Sequence, residues 1–402
     1  MTVKLYENDS LLKTCQAKVV ACEKKDDHYE IILDRTVIFP EGGGQLSDQG
    51  KIDDVAVYYA ADDGADVRHY TKQPLSIGQN VTVTLDWDLR LDRMQQHCGE
   101  HILSYAFWKL YGANNVGFHM HEDSVFIDLD QAVDEDMAKK AELMANECVW
   151  ANEPITLHYV PHTELGHYSL RKHNDKLRGI IRLVEIRNGD ICTCCGTHPP
   201  YTGMVGAIQI IRVTHHKEGS RVEFLCGKRA LLAMHERNQL LEKTSDFLSV
   251  KVSDIFPAVQ RLHQEILDLK TQNREKTQAL FQLQLPEKIK QAPVLADGTK
   301  VVFLTLEGSS QDGKSAMKLL TAEKQIFAAI VVKDGARLSY QFARSEGATG
   351  DCKACCKLAN DMFQGRGGGR PQSAQGGASA DKDWRQKAAD IKEKMLAALR
   401  KK

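Results

Sequence analysis

Two short runs of metal-ligand spacing, far apart in the chain, most limit what it can fold into. His97-Cys98-Gly99-Glu100-His101 lies within a helical-looking stretch from Leu89 to Tyr111. On a helix, positions i and i+4 share a face, so both imidazoles can reach one ion. About a hundred residues later, Cys194-Cys195-Gly196-Thr197-His198 offers a thiolate and a third imidazole at the same separation. Three nitrogens and one sulfur suit tetrahedral zinc. A chain that uses both runs must fold so that they meet.

At 402 residues the chain exceeds one compact core and suggests two to four domains. Lys and Arg number 53 against 54 Asp and Glu, so no global charge advertises nucleic acid, and such binding needs a local patch. The segment from Lys333 to Lys402 supplies one, with 15 Lys or Arg against 8 Asp or Glu, hence +7. The N-terminus lacks the apolar core of a signal peptide, and no stretch approaches the ~20 apolar residues of a membrane span. A cytoplasmic protein with no membrane partner is expected. The 11 cysteines, clustered at Cys192 to Cys195 and Cys352 to Cys356, fit reduced thiols and metal binding better than disulfides.

Read in order, the chain is expected to be multidomain α+β. Residues 1–88 carry short strands (Ala17 to Cys22, Tyr29 to Leu33, Val55 to Tyr59, Val81 to Leu85) that make a small β-barrel the economical reading. Between them, Phe39-Pro40-Glu41-Gly42-Gly43-Gly44-Gln45 allows close backbone approach, with Gln45 the useful side chain. Residues 89–227 alternate helices and strands around both ligand runs. From Lys228 to about Leu285 one long helical region follows, placed in a spacer over 228–291, and Pro286 and Pro293 punctuate the chain after it. Val252, Ile255, Val259, Leu262, Ile266 and Leu269 form a heptad seam there, a spacer, hairpin or homodimer contact, the C-terminal module being the other expected place for a homodimer. Residues 292–402 read as an α/β module with a glycine-rich loop, Gln364 to Pro371. Arg366 and Arg370 among Gly368 and Gly369 suit phosphate.

Three motifs compete with the composite zinc reading. His97-Cys98-Gly99-Glu100-His101 also fits H-x-x-E-H, in which Glu100 would be the general base of a zinc peptidase, although a thiolate ligand fits that chemistry poorly. Gly308 to Ser315 satisfies G-x-x-x-x-G-K-[ST] between an expected strand and helix, but the chain left after it is too short for a parallel nucleotide-binding sheet. Its plain alternative is a loop that caps a helix. Cys192-x-x-Cys195 and Cys352-x-x-Cys355 could share a four-thiolate zinc, yet the latter pair reads better as inert thiols.

The glycine run ending in Gln45, the HxxxH, the Cys-Cys-Gly-Thr-His run and the late motif Gly-Gly-Gly-Arg-Pro-Gln-Ser-Ala-Gln-Gly-Gly stand in the order found in one family. Together they resemble AlaX, freestanding relatives of the alanyl-tRNA synthetase editing domain, in a long form with the DHH-associated C-terminal module. Cys195 and Glu100 depart from the synthetase pattern of glycine and threonine. The resemblance implies an editing domain with Zn²⁺ on His97, His101, Cys194 and His198, and a catalytic surface at Gln45 and Thr197. It implies substrate contacts from Gly42, Gly43 and Gly44, and tRNA contacts from Arg366, Gly368, Gly369 and Arg370. The implied reaction is ester hydrolysis of tRNA(Ala) mischarged with serine, or secondarily with glycine. The alternatives are a non-catalytic zinc-stabilised RNA-binding adaptor and, behind it, the inverted-motif peptidase.

Overall fold

Side-chain alternation builds the first element of the fold. In Asn80–Leu85, Val81, Val83 and Leu85 are buried while Asn80 and Thr84 are exposed, the period of two that a strand with one covered face requires. Six strands close into a barrel in the order Thr14–Lys24, Tyr29–Leu33, Val67–Thr71, Val55–Asp62, Gly50–Ile52 and Asn80–Leu85. Val67–Thr71 escapes a hydrophobicity pattern because His69 and Thr71 are buried. The His69 ring has Nδ1 3.0 Å from the Ile31 carbonyl and Nε2 2.8 Å from the Thr36 hydroxyl. Burial holds its pKa down at about 4, so the barrel encloses a neutral imidazole.

The computed structural model describes residues 1–171 and 178–400. The chain divides into two compact units, Met1–Thr244 and Ser245–Lys402. In the first unit the barrel is followed by helix α1 (Trp87–Tyr111), capped by the Asp86 carboxylate on the Leu89 N–H and ended by Gly112 at φ 70°. Ile102, Leu103, Ala106 and Phe107 of α1 share one core with α2 (Glu135–Trp150) and an antiparallel four-stranded sheet. That sheet runs Ile208–His216, Gly219–Cys226, Val125–Leu129, Asn115–Met120. Removing a ring such as Phe107 from a core of this kind costs roughly 3–5 kcal/mol. A three-stranded sheet, Ile155–Pro161, Ile180–Ile186 and Ile191–Thr193, delivers the chain to Cys194.

The long helical region is two helices, α3 (Gly227–Leu248) and α4 (Ile255–Lys290). The break follows from Ser249, whose φ of 53° lies outside the helical region. Pro286 does not end the helix as expected but lies inside α4. The carbonyl it deprives of a donor belongs to exposed Gln282, where water can serve.

The second unit holds a sheet ordered Lys300–Glu307, Ile326–Asp334, Arg337–Arg344, Ser373–Ser379, Arg366–Gly369, parallel only in its first pair. Every residue from Ile326 to Val332 is buried, because α5 (Ser310–Ala322) covers one face and α6 (Cys352–Phe363) with α7 (Trp384–Arg400) covers the other. The P-loop-like run opens α5 as a capping box, the Ser309 hydroxyl accepting from the Asp312 N–H while the Asp312 carboxylate takes the Ser309 N–H at 2.8 Å. The glycine-rich loop is also corrected. Arg366–Gly369 is an edge strand paired with Ser373–Ser379. Its glycines serve contact, since a Cβ on Gly367 or Gly369 would overlap the paired strand and one on Gly376 would overlap the Tyr340 ring. Cys352, Cys355 and Cys356 are buried in the core under α6.

Candidate metal centre

α1 turns His97 and His101 to the same side, and both rings are buried. Gly99 between them is required by packing, because a Cβ there would overlap Cys226 Sγ on the neighbouring sheet. From the other segment come Cys194 and His198, in irregular chain just after Ile191–Thr193. His97 Nε2 lies 2.9 Å from Cys194 Sγ and 3.3 Å from His101 Nε2, and His198 Nε2 lies 3.3 Å from Cys194 Sγ. All four donor atoms fall within 4.8 Å of one another. A zinc tetrahedron with bonds of about 2.0–2.3 Å has edges of roughly 3.3–3.7 Å, so the four donors are gathered at about the spacing such an ion needs.

Electrostatics agree with that fit. Burial would lift the Cys194 thiol, but His97, His198 and His101 outweigh it and hold it well below the usual thiol range. Burial brings His198 down to about 3 against the pull of Cys194, leaving a neutral ring with a lone pair to give. His101 is braced from behind, its Nδ1 lying 3.2 Å from Asp190 Oδ2 and 2.9 Å from Cys192 Sγ. Burial opposes charge on Asp190, yet hydrogen bonds from His101 and Arg171 hold its carboxyl at about 2. Arg171 grips both Asp190 oxygens, at 2.8 and 2.9 Å. A carboxylate behind a ligating histidine fixes its ring and raises its basicity. Burial lifts the Cys192 thiol to about 12, so it stays protonated beside the ring.

The segment Phe39 to Asp48 ties the two ligand runs together. Gly42 and Gln45 exchange backbone hydrogen bonds across Gly43 and Gly44, whose φ angles of 60° and 81° are the reason for glycine. The fully buried Gln45 side chain donates from Nε2 to Thr197 Oγ1 at 2.8 Å and accepts from the Thr197 N–H at 2.9 Å. Gly196 permits this approach, for a Cβ there would lie 2.7 Å from His97 Nε2 and 2.8 Å from Gln45 Oε1. At the other end of the segment, Asp48 takes the Phe39 N–H at 2.7 Å and the guanidinium of buried Arg90, on the first turn of α1. Arg90 also donates to the Ser10 carbonyl at 2.9 Å, and the Ser10 hydroxyl donates to the His198 carbonyl at 2.6 Å.

A cleft of about 680 Å³ opens onto the donors. Its wall includes Gly43, His97, Glu100, His101, Phe118, Arg171, Arg182 and Cys194. It has the size of a small-molecule site rather than of a closed structural knot.

Residues 181–223 match the family described as the threonyl and alanyl tRNA synthetase second additional domain. The alanyl-tRNA editing protein AlaX-L of Pyrococcus horikoshii is 28% identical over 393 residues, covering 94% of this chain and 95% of the relative. The chain is a homologue of AlaX. The alanyl-tRNA editing protein Aarsd1 of Mus musculus is 29% identical over 278 residues, 64% of this chain and 67% of the relative. The alanine–tRNA ligase of Thermococcus kodakarensis is 28% identical over 394 residues, but this chain spans only 41% of that ligase. Among solved structures, the C-Ala domain of Aquifex aeolicus alanyl-tRNA synthetase matches 26% of the chain at 20% identity and TM-score 0.23, which carries no structural argument.

Within this AlaX homologue the expected ligands His97, His101, Cys194 and His198 come together, whereas Gln45 and Thr197 do not line the cleft. Buried and bonded to each other, they suit a brace and not a group that touches substrate. Of the three glycines expected to contact it, Gly43 lines the cleft, while Gly44 packs its backbone against the Phe118 ring. Arg366 and Arg370 are exposed on the hairpin of the second unit, where Gly368, Gly369 and Arg370 border a shallow groove. Sequence reasoning missed Asp190, Arg171, Arg90, Asp48 and Ser10, and it considered Cys192 as a zinc thiolate shared with Cys195 rather than as a neighbour behind the His101 ring. Only Asp190, two residues before Cys192, carried a local hint.

Proposed function

We propose that the chain is a trans-editing deacylase that hydrolyses tRNA(Ala) mischarged with serine and, secondarily, glycine. The observation that carries this reading is the buried cluster of three histidines and one cysteine opening onto a cleft, in a chain similar to AlaX-L over nearly its whole length. His97, His101, Cys194 and His198 would hold zinc, which supplies a fixed positive centre for an acyl ester. Gln45 and Thr197 position the Cys194 to His198 run, and Asp190 with Arg171 orients His101. Gly43, on the cleft wall, leaves room for the acyl end. The exposed Arg366 and Arg370, with their flanking glycines, would grip tRNA phosphates. Among the described residues no helix is long and apolar enough to cross a membrane; separately, the thiols of Cys98, Cys148, Cys192, Cys194 and Cys226 support the reducing cytoplasm as its place. The exposed seam residues Val259, Leu262, Ile266 and Leu269 of α4 support a homodimer through that helix.

A deacylation assay on Ser-, Gly- and Ala-tRNA(Ala) tests the reading. Release of serine well above a buffer control is expected, with Ala-tRNA(Ala) spared. A second reading, a zinc-stabilised RNA-binding adaptor, is favoured by one observation, that four protein donors can close a zinc site completely. tRNA binding with no ester loss would establish it.

A further inference from the structure

Glu100 sits between the two histidines of α1 and is only 6% exposed, yet its side chain forms part of the cleft wall. One of its oxygens is spoken for. Oε1 accepts from Ser104 Oγ at 2.7 Å and from Asn115 Nδ2 at 2.6 Å. Asn115 is itself pinned, its Oδ1 taking the Gly117 N–H at 2.9 Å and its Nδ2 also reaching Ser104 Oγ at 3.0 Å. The carboxylate is thus held in one orientation by neutral donors. Its other oxygen, Oε2, has no hydrogen-bond donor among the described residues, and the nearest ring nitrogen, His101 Nε2, is 3.8 Å away. Among the described residues the cations of the same wall are committed elsewhere: Arg171 to both oxygens of Asp190, and Arg182 to the carbonyls of Cys194 and Gly196. A nearly buried carboxylate with one oxygen fixed and the other unclaimed among the described residues, facing a cleft, calls for a cationic ligand.

We propose that Glu100 Oε2 receives the α-ammonium group of the esterified amino acid, with Ser104 and Asn115 as the residues that position it. The inference rests on the deacylase reading and deepens it. An aminoacyl ester carries a cation one carbon from the scissile carbonyl, beside the donor cluster that faces the same cleft. Holding that cation orients the carbonyl and selects esters with a free amine over deaminated or N-blocked ones. The peptidase-like reading gives Glu100 the opposite task of accepting a proton from water, which needs no amine on the substrate.

The test compares two esters on the same tRNA(Ala), seryl and its deamino counterpart 3-hydroxypropionyl, with the zinc-loaded protein. The wild type should favour the seryl ester in kcat/KM by roughly 10- to 100-fold beyond the ratio of the two uncatalysed hydrolyses in buffer, the worth of one charge-assisted hydrogen bond. Glu100→Gln should bring the ratio down to that buffer value by slowing the seryl ester alone, with metal content unchanged. Asn115→Ala, which releases Oε1 without touching the charge, should lower the ratio part of the way. Because the readout is a ratio, partial unfolding of a variant does not imitate it. Equal loss on both esters in Glu100→Gln, or a wild-type ratio no higher than that of the uncatalysed hydrolyses, would overturn the ammonium assignment and leave the deacylase standing. No hydrolysis of either ester by the wild type would instead remove the deacylase reading itself.

Discussion

Gln45 spends both ends of its amide on Thr197, 152 residues away in sequence. Truncation to alanine would leave the buried Thr197 N–H and hydroxyl without partners, at a cost of about 1–3 kcal/mol. We predict that Gln45→Ala weakens zinc affinity about 10- to 100-fold, as loss of an outer support does, while the barrel's circular dichroism is kept. Chelator competition measures it, and undiminished affinity would refute the brace. Cys194→Ala and His101→Ala each remove a donor and should abolish stoichiometric zinc by atomic absorption. If either variant retained full metal, the ligand assignment would fail. Residues such as Gln45 could be named from sequence because their neighbours form a motif. Arg90 and Ser10 could not, since a lone arginine in a helix and a serine in a loop carry no spacing that betrays a shared partner.

At the scale of elements, legibility followed pattern strength. Asn80–Leu85 and the helix holding the histidines were plain because alternation and the i+4 spacing are local. Gly50–Ile52 is too short to show a period, and Val67–Thr71 hides behind His69 and Thr71. The Arg366–Gly369 strand was read as a loop because glycine's flexibility is local whereas its pairing with Ser373–Ser379 is not. The buried His69 makes the barrel sensitive to acid. Its folded pKa of about 4 lies below the ordinary ~6.5 of an unfolded chain, so its stabilising share is present above that value and lost as pH falls toward the folded one. The linkage amounts to about 3 kcal/mol across that window. Urea unfolding of His69→Gln beside wild type should show a flatter stability profile between the two pKa values, and parallel profiles would argue against a neutral buried ring.

Over the whole molecule, the ester-facing cleft lies in the first compact unit and the arginine hairpin in the second. Arg366→Ala with Arg370→Ala should therefore weaken tRNA binding and make log K less steep in log salt by about 1–2, with turnover at saturating tRNA preserved. An unchanged salt slope would take the hairpin out of the tRNA contact. The first unit also has an order of assembly in time. Synthesis delivers His97 and His101 well before Cys194 and His198 exist, and Gln45, unlike Asp48 of the same segment, has no partner until Thr197 emerges. Metal capture thus belongs to the end of that unit's folding, where long-range closure is slow. A nascent chain on the ribosome, surrounded by charged tRNA, therefore carries no complete donor set until His198 has been made.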